Sequence, residues 1–129
     1  MQTIRKAPRM EDDEPRIYWD IECGCWRLAH EMKIRIHGHQ IVVHKGFETD
    51  LASVPPIFSA IISSFGAFNR SSILHDFLYE CKGVLVDGAV LTRKECDRIF
   101  FDVMVLDGVP VWQAVTMWAA VRMWGFLAF

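Results

Sequence analysis

The sequence predicts an α+β fold, a small N-terminal antiparallel β-sheet packed on a C-terminal bundle of about four helices. Three observations carry that expectation. Short alternating apolar runs fill residues 17–47, helix starts and stops punctuate residues 55–125, and 52% apolar residues in a chain of 129 can bury one core but hardly two. A single domain, 1–129, is therefore the economical reading.

Residues 1–15 carry the run Glu11-Asp12-Asp13-Glu14 and two prolines, have little to bury, and are expected to form an extended arm. The β part follows over 17–47. Its candidate strands are Ile17-Tyr18-Trp19, Trp26-Arg27-Leu28, Lys33 to His37 and Gln40 to His44. Gly38-His39 between the last two reads as the tight link of a hairpin.

The helical part spans 55–125. Pro55-Pro56 can open a first helix that Gly66 ends. A second runs from about Asn69, a good N-cap residue, to Lys82, with Gly83 as its stop. Residues Val84 to Leu91 read as a loop or short hairpin around Asp87-Gly88. Thr92-Arg93-Lys94-Glu95 has the spacing of a capping box, in which the hydroxyl and the carboxylate each accept from the other residue's backbone N–H. It starts a third helix with Cys96, Ile99, Phe100, Val103 and Met104 on its apolar side, ending at Asp107-Gly108. Pro110 opens a fourth, whose stripe Trp112, Val115, Trp118 and Val121 reads as core.

Fourteen Lys plus Arg against sixteen Asp plus Glu leave a net charge of -2, which provides no electrostatic footprint for nucleic acid. No basic segment followed by an apolar one opens the chain, so no signal peptide is expected and synthesis in the cytoplasm follows. In that reducing compartment Cys23, Cys25, Cys81 and Cys96 are expected as free thiols. The apolar stretch from Val109 to Phe129 is interrupted by Gln113, Thr116 and Arg122 and is too short between Pro110 and Gly125 to span a bilayer, which takes roughly 20 residues. Its surplus apolar surface, Phe126 to Phe129 above all, points to burial against a partner or a second copy.

Chemistry concentrates in the second and third helices. His75 and Tyr79 lie one turn apart on one stripe, with Asp76 about 100° around the helix. A neutral imidazole is the side chain best matched to taking a proton from water near neutral pH. If the two helices are antiparallel neighbours, Asp97 can accept the imidazole N–H and Tyr79 can donate to the same carboxylate. Asp76 would then be available to a hard cation such as Ca2+, with Asp50 as a second ligand and the loop that begins at Leu51 as a source of main-chain carbonyls. The competing reading is structural: His75, Asp76, Tyr79 and Asp97 would only tie helices together, since a buried polar network that fixes packing uses the same residue types. A second constellation, Cys23-Gly24-Cys25 with His37-Gly38-His39, offers two sulfurs and two nitrogens to zinc. Scattered β-sheet residues are several times more probable there.

The order Gly46-Phe47, Thr49-Asp50-Leu51-Ala52-Ser53-Val54-Pro55, His75-Asp76-x-Leu78-Tyr79, Arg93-Lys94-x-x-Asp97-x-x-Phe100 and Ala120-Val121-Arg122 before Gly125 resembles an uncharacterised family encoded by tailed phages and prophages. The resemblance covers roughly residues 17–125. It implies a phage gene product, a virion component or accessory protein with other phage structural proteins as partners. The helical half also resembles phospholipase A2, with Ser72, His75, Asp76 and Tyr79 in the positions of half-cystine, His, Asp and Tyr. That likeness implies His75 as the base that activates water against an ester carbonyl, Asp97 as its partner, Asp76 as a calcium ligand and lipid as a substrate class. Ser72 and Leu78 replace half-cystines, and no glycine-rich calcium loop precedes the helix. The two expectations that follow are a virion-associated protein with a phospholipase-like site, and a structural adaptor whose Trp-rich end docks onto neighbours.

Overall fold

The computed structural model describes residues 15–49 and 68–125. The elements run β1 (Ile17–Asp20), β2 (Cys25–Leu28), β3 (Met32–Ile36), β4 (His39–Val43), β5 (Glu48–Thr49), α1 (Asn69–Glu80), α2 (Arg93–Leu106) and α3 (Val111–Trp124). A small N-terminal antiparallel β region is followed by helices, as the patterning predicts. The predicted helix from Pro55 to Gly66, most of the acidic arm, and Phe126 to Phe129 lie outside the described residues.

The strands form a three-stranded sheet in the order β1-β2-β5 and a separate β3-β4 hairpin. Alternation decides which side chains turn inward. In the hairpin Met32 faces Val43 and Ile34 faces Ile41, and all four are buried while Lys33 and Arg35 point out. The hairpin link lies one residue earlier than the sequence suggests: Ile36 pairs with His39, so His37 and Gly38 form the two-residue turn. Both have positive φ, 52° and 75°, as a type I′ turn requires, and the left-handed twist cost at His37 is accepted to keep the inward register.

α1 begins at Asn69 itself, with Phe68 at the cap position and no side-chain cap bond. Asn69 is thus the first helical residue rather than the cap. The predicted stop holds: Gly83 (φ 77°) returns its N–H to the Leu78 carbonyl at 2.9 Å. A Cβ at Gly83 would collide with the backbone of Leu91, so this position needs glycine for both space and conformation. At α2 the capping box forms in full, with Glu95 N–H donating to Thr92 Oγ1 and Thr92 N–H donating to Glu95 Oε1, each at 3.1 Å.

Leu28, Met32, Ile34, Ile41, Val43 and Phe47 from the β region pack on Ile73, Leu74 and Leu78 of α1 and Ile99 and Val103 of α2. A fully buried side chain of this size contributes about 1.5–3 kcal/mol, so this shared core fastens the strands to the helices. Phe68, Phe100, Met104, Ala114 and Met117 form a second cluster between α2 and α3. Arg70 Nη2 and Nε reach the two carboxylate oxygens of Asp107 at 2.7 and 3.1 Å, closing the start of α1 onto the end of α2.

α3 turns a different face inward from the stripe expected. Gln113, Ala114, Met117 and Ala120 are buried, whereas Trp112 is 61% and Val115 46% exposed. The helix is apolar all round, so periodicity does not select a face. The small Ala114 and Ala120 allow close approach to α2, where tryptophan would not fit. Gln113 Oε1 is buried without a hydrogen-bond partner, the one such side-chain atom among the described residues. An orphaned acceptor costs about 1–3 kcal/mol, so Gln113→Met, which keeps the shape and removes the acceptor, is expected to raise the thermal midpoint. No helix among the described residues is long and apolar enough to cross a membrane.

Candidate functional site

α1 and α2 lie side by side, and the stripe His75-Tyr79 faces Asp97 across their contact. Asp97 is fully buried, with side-chain exposure of 0%, against 11% for His75. Its Oδ1 is 2.9 Å from His75 Nε2 and accepts from the Tyr79 hydroxyl at 2.5 Å. Its Oδ2 accepts from Arg122 Nη1 at 2.8 Å, and Arg93 Nη1 stands 3.7 Å away. The His75 ring lies against Tyr79 and Phe100, with centroids 4.1 and 4.6 Å apart. Arg93 also donates to the Val121 and Arg122 carbonyls, where α3 ends with its negative pole. Three helices thus converge on one carboxylate.

The electrostatics follow from this arrangement. Burial alone would push the Asp97 carboxyl up, but hydrogen bonds from His75, Tyr79 and Arg122 together outweigh it and hold the group below the usual carboxylate range. Burial, then the bond to Asp97, pushes the Tyr79 phenol well above its ordinary value, so it stays protonated and donates its proton to the Asp97 carboxylate. An ionised carboxylate only accepts, so the proton between His75 and Asp97 belongs to Nε2. In the neutral ring the lone pair is then on Nδ1, and no described residue hydrogen-bonds to that atom.

Asp76 faces elsewhere. It accepts from Thr49 Oγ1 at 2.7 Å, a contact made possible because β5 pairs with β2 and brings Thr49 against α1. An open cleft of about 250 Å³ is lined by Phe47, Glu48, Asp76 and Glu80, and His75 does not line it. Asp50 and Leu51, the other expected calcium ligands, lie outside the described residues. Among those described, Asp76 belongs to no cluster of three or more metal-ligating groups.

The one candidate metal-binding triad among the described residues is Asp20, Cys23 and Cys25 at the β1-β2 turn. His37 and His39 do not join it: His37 Nε2 is 2.6 Å from Asp102 Oδ2 on α2. The expectation of four free thiols is corrected in part. Cys23 and Cys25 are disulfide-bonded, because the turn brings their Cα atoms within 5.3 Å, whereas Cys81 and Cys96 are free.

Sequence reasoning brought His75, Tyr79 and Asp97 together and assigned no site role to Arg93, Arg122 and Gly125. One signal for Arg122 was present: it is the lone charged residue in the fourteen of α3, and a cation in an apolar helix needs a carboxylate. Gly125 matters by what it lacks, since a Cβ there would stand 2.5 Å from the Tyr79 hydroxyl and 3.1 Å from Arg93 Nη1. Gly125→Ala should therefore displace Tyr79 from Asp97 and lower the thermal midpoint by several degrees, on the order of 1–3 kcal/mol of overpacking.

No curated protein and no solved structure matches the chain. Residues 26–121 match the family described as Protein of unknown function (DUF1353). That span runs from β2 through most of α3 and contains His75, Tyr79, Arg93 and Asp97, so the chain belongs to this family of unknown function.

Proposed function

We propose that this is a phage-encoded, virion-associated protein whose His75–Asp97 pair activates water against an ester, with lipid esters as the substrate class. The observation that carries the reading is the fully buried Asp97 carboxylate, which receives both the His75 Nε2 proton and the Tyr79 hydroxyl on one oxygen. This is the arrangement a general base needs: a buried acid fixes the tautomer, and the opposite ring nitrogen keeps its lone pair. In the proposed step His75 Nδ1 takes a proton from water as the oxygen attacks the carbonyl carbon. The imidazolium is held by Asp97, and the proton passes to the departing alkoxide. Arg122 balances the carboxylate in the resting state, and Tyr79 keeps it in place.

The experiment is hydrolysis by the full chain of phospholipid vesicles and of a soluble p-nitrophenyl ester, each with Ca2+ and with chelator. Turnover of either substrate above the buffer rate supports the proposal, and a rise with Ca2+ would support its phospholipase-like form. No hydrolysis of any ester by the folded protein sinks it.

A second reading, from a different class, is a non-catalytic adaptor of the phage particle. It is favoured by the exposed apolar face of α3, where Val111 is 58%, Trp112 61%, Val115 46% and Met123 61% exposed. Such a face suits contact with a neighbouring subunit or a second copy. A protein that stays monomeric at high concentration and hydrolyses ester would favour the first reading over this one.

A further inference from the structure

The β1-β2 turn has backbone and carboxylate hydrogen bonds of its own beside the sulfurs. Gly24, with φ 66°, donates its N–H to the Asp20 carbonyl at 2.8 Å. Asp20 Oδ1 accepts from Glu22 N–H at 2.9 Å, and its Oδ2 accepts from Arg27 Nε at 2.8 Å. The strands on either side stay paired through Asp20↔Cys25 and Trp19↔Trp26, with the two indoles packed edge to face at 5.3 Å. Within that frame Cys23 and Cys25 sit two residues apart with their Cα atoms at 5.3 Å, inside the range a disulfide spans.

A bond across so short a loop removes little entropy from the unfolded chain, and the turn already has its own hydrogen bonds, so stabilising the fold is a poor account of it. Its surroundings favour exchange. Cys23 is exposed and Cys25 is 9% exposed, so an external thiol or disulfide meets one sulfur and the other is sheltered behind it. Exposed disulfides are the labile ones, open to attack. A metal is the weaker use of the same groups, because a cation at Asp20 would have to displace the Arg27 guanidinium from a carboxylate both of whose oxygens are engaged.

We propose that Cys23 and Cys25 form a redox-active dithiol–disulfide pair that exchanges with low-molecular-weight disulfides, Cys23 reacting first and Cys25 resolving. With glutathione disulfide as oxidant, the Cys23 thiolate attacks one of its sulfurs, forming a Cys23–glutathione bond and releasing one glutathione thiolate. The Cys25 thiolate then attacks Cys23 sulfur, closing the Cys23–Cys25 bond and releasing the second. Two electrons pass from the protein thiols to glutathione disulfide, and the two thiol protons pass through solvent to the released thiolates. The other two cysteines are poor competitors: Cys96 is fully buried, which pushes its thiol up to about 12, and burial raises Cys81 as well.

The test uses the full chain equilibrated in glutathione buffers of graded poise, quenched with iodoacetamide and digested with trypsin. Cleavage after Arg16 and Arg27 puts Cys23 and Cys25, with no other cysteine, in one peptide. Its two alkylation sites should disappear together as glutathione disulfide rises and return with dithiothreitol, while Cys81 and Cys96 remain alkylatable after denaturation. The folded chain should oxidise at roughly ten-fold less oxidised glutathione than the chain in denaturant, because the turn holds the sulfurs together. Cys25→Ser should leave glutathione trapped on Cys23. If that variant fails to fold by circular dichroism, the comparison of folded and denatured wild-type chain decides alone. Thiols that stay alkylatable at every poise, or equal midpoints in the folded and denatured chain, would overturn the proposal. So would one Zn2+ bound per reduced chain that blocks oxidation of both sulfurs.

Discussion

Replacing Asp97 by alanine is expected to destabilise the protein by about 3–5 kcal/mol, a large share of an ordinary total stability of about 5–15 kcal/mol. The carboxylate is fully buried, and its loss strands three donors at once, the His75 ring, the Tyr79 hydroxyl and Arg122, and removes the nearby counter-charge of Arg93. Arg122, with its side chain 29% exposed, loses its counter-charge but can reach water, so the buried His75 and Tyr79 donors carry most of that cost. Asp97→Asn keeps the volume and one acceptor and should cost less, while still leaving Arg122 unbalanced. Urea denaturation of the three proteins checks the order; an Asp97→Ala midpoint close to that of the unchanged chain would contradict it. The same network sets an acid limit. The folded-state value of Asp97 is depressed, so its contribution is present in full above the unfolded value of about 3.9 and is lost as pH falls through the lower folded value. Melting curves should be flat in this respect near neutrality and shift downward in strong acid, and Asp97→Asn should remove its share of that shift.

His75→Gln is expected to abolish ester hydrolysis, by about 10²–10⁴-fold if His75 is the base, while the fold survives. Glutamine can still donate a hydrogen bond to Asp97 and fill the space beside Tyr79 and Phe100, but it has no lone pair of comparable basicity to take a proton from water. The two measurements pull apart here as they do not for Asp97. A purely structural network predicts a change in melting and none in turnover. Catalysis predicts the reverse, and retained hydrolysis in His75→Gln would remove the imidazole from the chemistry.

Much of this arrangement was legible before any coordinates, and the reason is local. The capping box at Thr92 placed the start of α2, which set the apolar face of Cys96, Ile99, Phe100 and Val103. With that face fixed, Asp97 sits at its edge, turned toward α1. His75 and Tyr79 share a stripe because four residues make about one helical turn, so a single carboxylate can reach both. The hairpin was legible for the same kind of reason, since Met32, Ile34, Ile41 and Val43 keep a strict two-residue period. Its turn falls one residue earlier than the spacing suggests, because the positive φ of His37 is a cost that only the inward register of its neighbours offsets.

α3 shows where local reasoning stops. Apolar on every side, it offered no preferred face, and the burial of Ala114 and Met117 in place of Trp112 and Val115 depends on the shape of α2 opposite. Arg122 becomes the counter-charge of Asp97 only once that face is chosen. Thr49 meets Asp76 only because a two-residue strand pairs with β2, and so short a segment carries no period to read.

The amino-acid sequence by itself determined the class of the fold, the stop of α1 and the start of α2, and the pairing of His75 with Asp97 one helix away, because each depends on spacings within a turn or a strand. The tertiary structure decided which groups share the Asp97 charge and which face of α3 stays open. Those outcomes rest on how surfaces from distant segments fit and on whether a buried charge finds its counterpart, and no local spacing encodes either.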